Sequence, residues 1–159
     1  MKFRLISIPA FKAVHSGVDQ AFDFNPEGKL GKFNAYFSEI TVKNQDNFSP
    51  RDYLYYDKKQ QGLVWMYAIF EGLDTKSFPV MDFDGGLYVT YFYNDGDHKR
   101  NEELYGEAIK WIKSSDYLEL DERENHYAMG HIITPPFIKE NLDNAQMESF
   151  IPVKIKNKA

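Results

Sequence analysis

The sequence predicts an α+β protein built from two β-β-α-β-β units, and three observations carry that prediction. Apolar residues alternate with a period of two in several short runs. In two other runs they recur at three- and four-residue spacing, and the order of the runs repeats along the chain. The 159 residues are enough for one core of ordinary size. The repeat divides a single domain into halves at residues 1–76 and 77–159.

Residues 3–8 read as a strand stopped by Pro9, and residues 11–15 as a second strand, with Gly17 where the chain must turn away. Pro26-Glu27-Gly28 opens a helix in which Leu30, Phe33, Phe37 and Ile40 form one apolar stripe. Residues 45–50 read as a loop, and strands follow at 53–57 and 63–71, joined by the polar turn 58–62. In the second half, residues 78–83 form a strand, Asp84-Gly85-Gly86 a hairpin turn and residues 87–93 the partner strand. Asn94-Asp95-Gly96-Asp97 ends that strand and offers an N-cap for a helix over residues 98–114. The buried stripe of that helix is Leu104, Ala108, Trp111 and Ile112. Strands at about 125–132 and 147–155 complete the set, with a loop over 134–145 between them. Neither helix alone covers a two-sided sheet. The economical arrangement is one antiparallel sheet with both helices on one face and a concave face left for a ligand.

Composition narrows the function. A net charge of -5 argues against direct contact with nucleic acid, and the basic end Lys154-Ile155-Lys156-Asn157-Lys158 reads as a solvated tail. Without cysteine there is no disulfide framework, thiol nucleophile or thiolate metal site. The opening Met1-Lys2-Phe3-Arg4-Leu5 lacks a signal-peptide apolar run, and no stretch approaches transmembrane length. The expectation is a cytoplasmic protein with no membrane partner. There is no phosphate-cradling glycine loop and no nucleophile elbow. On a strand, His126 and His131 face opposite sides, so neither a metal nor a cofactor is expected.

The aromatic share is 16%, with thirteen Phe, eleven Tyr and two Trp, more than a core of this size needs. Tyrosine combines an apolar body with a polar tip and suits a ligand wall. Half-exposed tyrosines on sheet faces are the other reading of the same surplus. Trp65, Tyr67 and Ile69 alternate with Val64, Met66 and Ala68. The smaller, aliphatic set reads as the core face, which turns Trp65 and Tyr67 towards a ligand. Tyr55, Tyr91, Tyr93 and Tyr127 are further wall candidates that depend on strand phase, and Tyr88, Thr90 and Phe92 make up the alternative face of their strand. Glu148 stands two residues before Phe150, so both face the same side of the last strand. A carboxylate beside aromatic walls suits a cationic ligand, and a desolvated one could act as general acid or base. Glu102-Glu103 and the run Asp121-Glu122-Arg123-Glu124 read as a solvated helix start and a turn.

Several segments, taken in order, follow the pattern of a known family. They are Leu5-Ile6-Ser7-Ile8-Pro9-Ala10-Phe11-Lys12-Ala13-Val14, Tyr55-Tyr56-Asp57 and Asp84-Gly85-Gly86-Leu87-Tyr88. Gly96-Asp97, Leu104-Tyr105, Trp111 and the closing Phe150-Ile151-Pro152-Val153-Lys154 continue the series. Over nearly its whole length the chain resembles the GyrI-like family, the effector-binding domain of AraC- and MerR-type regulators. The resemblance implies a stand-alone domain that holds a hydrophobic, aromatic or cationic small molecule, for sensing or sequestration, with multidrug binding and transcription regulation as its setting. Trp65, Tyr67, Tyr127 and Phe150 would be stacking walls, with Glu148 or Glu124 as the polar anchor. In the family a ligand-facing glutamate precedes an aromatic by two residues on the strand after the second helix. Ahead of Tyr127 that position holds Asn125, with Glu124 one residue earlier, and a shift of one residue on a strand turns a side chain to the other face. Two other functions stay open: a hydrolase of electrophilic small molecules that activates water with Glu148 and Tyr127, and a gyrase-inhibitor-like module whose acidic surface meets a protein partner.

Overall fold

The computed structural model describes residues 2–40, 50–134 and 136–157. Its elements are β1 (Arg4–Ile8), β2 (Phe11–His15), α1 (Lys29–Ser38), β3 (Asp52–Asp57), β4 (Gly62–Ala68), β5 (Val80–Phe83), β6 (Gly86–Asn94), α2 (His98–Ser114), β7 (Leu118–Leu120), β8 (Met129–Ile132), α3 (Pro136–Leu142) and β9 (Gln146–Ile155). The class is α+β with antiparallel ladders, as the alternation of the strands predicts. The loop expected at residues 45–50 falls almost wholly outside the described residues.

The chain forms two compact units, a contiguous one of Phe11–Phe83 and a split one of Met1–Ala10 with Asp84–Ala159. In the contiguous unit the strand order is β3-β4-β2-β5, and α1 packs on β4. Leu30, Phe33 and Tyr36 are the buried side chains of α1, and the helix stops at Ser38, short of Ile40. In the split unit the order is β1-β6-β9-β8, with β7 also paired to β9. Here α2 sets Leu104, Ala108 and Ile112 against Val89 and Tyr91 of β6 and Ile151 and Val153 of β9. Trp111, expected in that stripe, is instead 43% exposed and leans on Phe3 at a centroid distance of 5.8 Å. Position 111 lies on the flank of a stripe whose centre, at 104, 108 and 112, is spaced by fours.

The expected cap is in place: Asp97 accepts the Arg100 N–H at 3.0 Å. Asp97→Ala should therefore cost about 1 kcal/mol in stability, read as a lower urea midpoint with an unchanged slope. A seven-residue helix, α3, stands inside the stretch expected to be a loop. Pro136 is its first residue, a position where the missing N–H is harmless, so a proline that looks like a breaker is an initiator.

The hairpin expected at Asp84-Gly85-Gly86 does not form, and the successive strands β1 and β2 do not pair with each other. Strand β1 pairs with β6, from Arg4↔Thr90 to Ile8↔Gly86, and β2 pairs with β5, from Phe11↔Phe83 to Val14↔Val80. Each unit thus takes one edge strand from the other half of the sequence. The orders β3-β4-β2-β5 and β8-β9-β6-β1 correspond strand for strand, with the first strand of each half exchanged. Asp84-Gly85-Gly86 is consequently a crossing point and not a hairpin turn. Gly85 has φ +71°, and a Cβ there would lie 2.5 Å from the Ile8 carbonyl oxygen and 2.6 Å from both Ala10 N and Pro9 C. The two segments touch backbone to backbone, which only glycine permits.

Candidate functional site

The helices mark one face of each sheet, and residues on both faces are buried. In the contiguous unit the ring of Phe37 on α1 stacks on Tyr67 at 5.6 Å and meets Trp65 edge-on at 5.0 Å. Phe24 approaches Trp65 from the same side at 5.8 Å, and the Trp65 indole N–H donates to Asp52 Oδ2 at 3.2 Å. Burial pushes the Tyr67 hydroxyl above its usual pKa, with Arg51 opposing and Asp52 adding to the shift. Val64, Met66 and Ala68 are core as expected, but Trp65 and Tyr67 are buried as well, on the side of α1. Trp65 and Tyr67 fill the gap between sheet and helix, because a helix stands about 10 Å from a sheet and large rings fill that space better than Val or Ala. Val64, Met66 and Ala68 lie on the face away from α1, opposite Tyr55, Tyr53 and Ala13 in register. That face is also aromatic: Phe11 stacks on Tyr53 at 6.3 Å and lies 4.6 Å from Phe83, and the Tyr55 hydroxyl reaches Met81 Sδ at 3.5 Å.

In the split unit the same logic separates the candidates. Tyr91 belongs to the α2 side, where its hydroxyl donates to Asn101 Oδ1 at 2.7 Å and burial raises its pKa. Tyr93 packs against the same cluster. The face away from α2 carries Tyr88, Thr90 and Phe92 of β6, and Glu148 and Phe150 of β9. Glu148 and Phe150 do share a side, as their spacing requires. Phe92, Glu148 and His131 form one cross-strand row, and Arg4, Thr90, Phe150 and Met129 form the next. The Tyr88 ring meets Phe150 edge-on at 6.1 Å.

Glu148 is the charged centre of this face. Its side chain is 8% exposed, and its Oε1 accepts from Arg4 NH2 at 2.5 Å. The Arg4 guanidinium also lies 4.6 Å from the centroid of the Phe92 ring. A buried carboxylate is tolerated only beside a cation, and this one has its cation held over an aromatic face. Thr90 is fully buried one row away, and its hydroxyl oxygen has no hydrogen-bond partner among the described residues.

A second polar cluster went unnoticed in the sequence. Asp121, read as part of a solvated turn, is buried, and its Oδ2 takes both His126 Nδ1 at 2.7 Å and Arg123 Nε at 2.9 Å. Arg123 also donates to the Gly85 carbonyl at 2.8 Å, which ties the cluster to the crossing point. His126 is 4% exposed and stands edge-on to Tyr88 at 4.6 Å. Burial lowers the His126 pKa although Asp121 pulls the other way. Burial also acts to raise the Asp121 pKa, but the Arg123 backbone N–H and His126 outweigh it and the net shift is downward. The signal available in the sequence was the D-x-R-x-x-H spacing, which is common in turns.

Glu124 and Asn125 lie in a turn ahead of β8, which begins only at Met129. The argument from strand phase does not apply to them: Asn125 has φ +63°, Glu124 is exposed, and the Tyr127 hydroxyl donates to Asn125 Oδ1 at 3.0 Å. The contiguous unit also holds an open pocket of about 460 Å³ lined by Val18, Asp19, Gln20, Ala21, Lys29 and Gln60. Its polar groups are engaged within the chain, since Asp19 accepts the N–H groups of Ala21 and Asp23 while Lys29 donates to the Val18 carbonyl. Among the described residues no group of three or more His, Cys, Asp or Glu could hold a metal ion, and no helix is long and apolar enough to cross a membrane.

No protein-family model and no curated protein matches the sequence. Solved structures do match. A hydrolase from Listeria innocua is 15% identical with a TM-score of 0.61, covering 96% of this chain and 92% of that one. The SAV2435 protein bound to tetraphenylphosphonium is 12% identical with a TM-score of 0.57, covering 97% and 94%. The C-terminal domain of EcmrR is 16% identical with a TM-score of 0.61, covering 96% and 97%. The longer EcmrR chain in its complex with DNA matches over 57% of its length. At such identities the likeness is one of architecture: this chain has the α+β fold that these three proteins share.

Proposed function

We propose that this chain is a GyrI-like effector-binding domain whose function is to hold a hydrophobic small molecule with aromatic surface and positive charge. The ligand sits on the α2-free face of the split unit, with Glu148 as anchor and the exposed ring of Phe92 as wall, backed by the buried Phe150. The observation that carries this reading is the burial of Glu148 beside Phe92 and Phe150 on the sheet face away from α2. A carboxylate in that setting depends on a cation beside it, and the one it has, on Arg4, is itself half exposed and open to replacement. The structural neighbour holding tetraphenylphosphonium, a lipophilic aromatic cation, supports the ligand class. The match within the DNA-bound EcmrR chain supports a sensing or sequestering role related to transcription regulators. The net charge of -5 fits a domain that makes no nucleic-acid contact of its own.

Isothermal titration with tetraphenylphosphonium tests the reading. Saturable binding is expected, weakened at least about tenfold by Glu148→Gln, which keeps the shape and removes the charge. Equal affinity in the two proteins would remove Glu148 from the site, and no saturable heat in either would end the proposal.

A further inference from the structure

We propose that Arg4 is a resident cation in the ligand seat and so sets the specificity of the site. This rests on the reading of Glu148 as the ligand anchor. Arg4 stands on edge strand β1, opposite Thr90 in register, yet its guanidinium is bound two strands away on β9. The side chain spans β6 to reach Glu148 and lies over Phe92, the residue directly opposite Glu148. One group thereby satisfies both needs that a cationic aromatic ligand would satisfy: a counter-charge for the carboxylate and a cation for the ring face.

The two ends of this ion pair are unequal. The Arg4 side chain is 54% exposed, while that of Glu148 is 8% exposed. Arg4 can swing into water at small cost, because a guanidinium on a long stem is readily solvated there. Glu148 has no such escape, and in every state of the site it needs a cation beside it. Ligand entry is then an exchange of one cation for another, with the charge of the site unchanged. A neutral aromatic molecule gains the Phe92 face only by displacing Arg4, which leaves a buried carboxylate unpaired. The site therefore selects monocations with aromatic surface over neutral molecules of the same shape, and Arg4 holds affinity below what Glu148 and Phe92 would give alone.

The test compares the wild-type chain with Arg4→Met and Arg4→Gln, using tetraphenylphosphonium and the pair benzamidinium and benzamide as probes. Position 4 is an exposed edge position, Arg4→Gln keeps an amide N–H donor within reach of Glu148, and a urea melt of each variant reads its fold separately from its binding. Tetraphenylphosphonium is expected to bind either variant at least about tenfold more tightly than wild type, and wild type is expected to favour benzamidinium over benzamide. Wild-type binding with no gain in either variant would overturn the role of Arg4 and leave the Glu148 site standing. Wild-type preference for benzamide would do the same. Absence of binding in all three proteins would overturn both the inference and the reading beneath it.

Discussion

Gly85→Ala is expected to lower the stability of the fold by about 2–6 kcal/mol, a large part of the total for a domain of this size. Two separate costs combine. At φ +71° any side chain strains the backbone by about 1–3 kcal/mol. The added Cβ would also overlap three backbone atoms of residues 8–10, none of which can rotate away as a side-chain tip would, adding about 1–3 kcal/mol. The midpoint of urea unfolding reports the loss. Gly96→Ala is the control, because Gly96 also has positive φ but its Cβ would meet nothing within 4 Å. A Gly85→Ala protein no weaker than Gly96→Ala would mean that the crossing is looser than the backbone contacts indicate.

Removing Asp121 is expected to cost about 3 kcal/mol at neutral pH, since Asp121→Ala strands the buried His126 Nδ1 and releases Arg123 from its carboxylate. The same cluster makes the protein acid-sensitive, and the sign follows from proton counts. The folded His126 pKa is below that of the unfolded chain, about 6.5. In the window between the two the unfolded state binds more protons, so stability is complete above pH 6.5 and falls as pH drops through the folded value. His15, lowered by burial in the contiguous unit, acts in the same direction. Asp121, held below its usual 3.8, adds a second loss in more acidic solution. Thermal unfolding should accordingly show a falling Tm from about pH 7.5 to pH 5.5. His126→Gln should flatten that slope in part, leaving the contribution of His15. A Tm constant over that range would show that His126 takes up its proton within the folded state without penalty.

What could be read in the sequence was whatever depends on neighbours in the chain. The limits of α2 at residues 98 and 114 follow from an N-cap residue and a periodic stripe, both local, and they hold. The co-facing of Glu148 and Phe150 follows from the pleat of a strand, also local. The partners of β1 and β5 do not follow from neighbours: a Pro-Ala link and a Gly-Gly link look like hairpin turns whether or not the flanking strands pair with each other. The second buried face of β4 escapes the sequence for a related reason. Val64, Met66 and Ala68 are core as their type suggests, but Trp65 and Tyr67 look half-exposed until the sheet-to-helix gap that they fill is known. Asp121 and His126 were legible only as a polar turn, because their burial depends on the crossing at Gly85.

The exchange of first strands bears on when each part of the protein can fold during synthesis. Every strand of the contiguous unit has been made once residue 83 is in place, so its sheet can close early. The split unit cannot, because its central strand is β9, the last in chain order, and β9 carries β6, β7 and β8 as direct neighbours. Strand β1, made before every other strand described, has no lasting partner until β6 appears and no finished sheet until β9 joins. Throughout that interval an unpaired edge bearing Leu5, Ile6 and Ile8 is presented to the surroundings. The growing domain is thus at its most aggregation-prone at β1, and a nascent-chain chaperone would find its longest-lived target there.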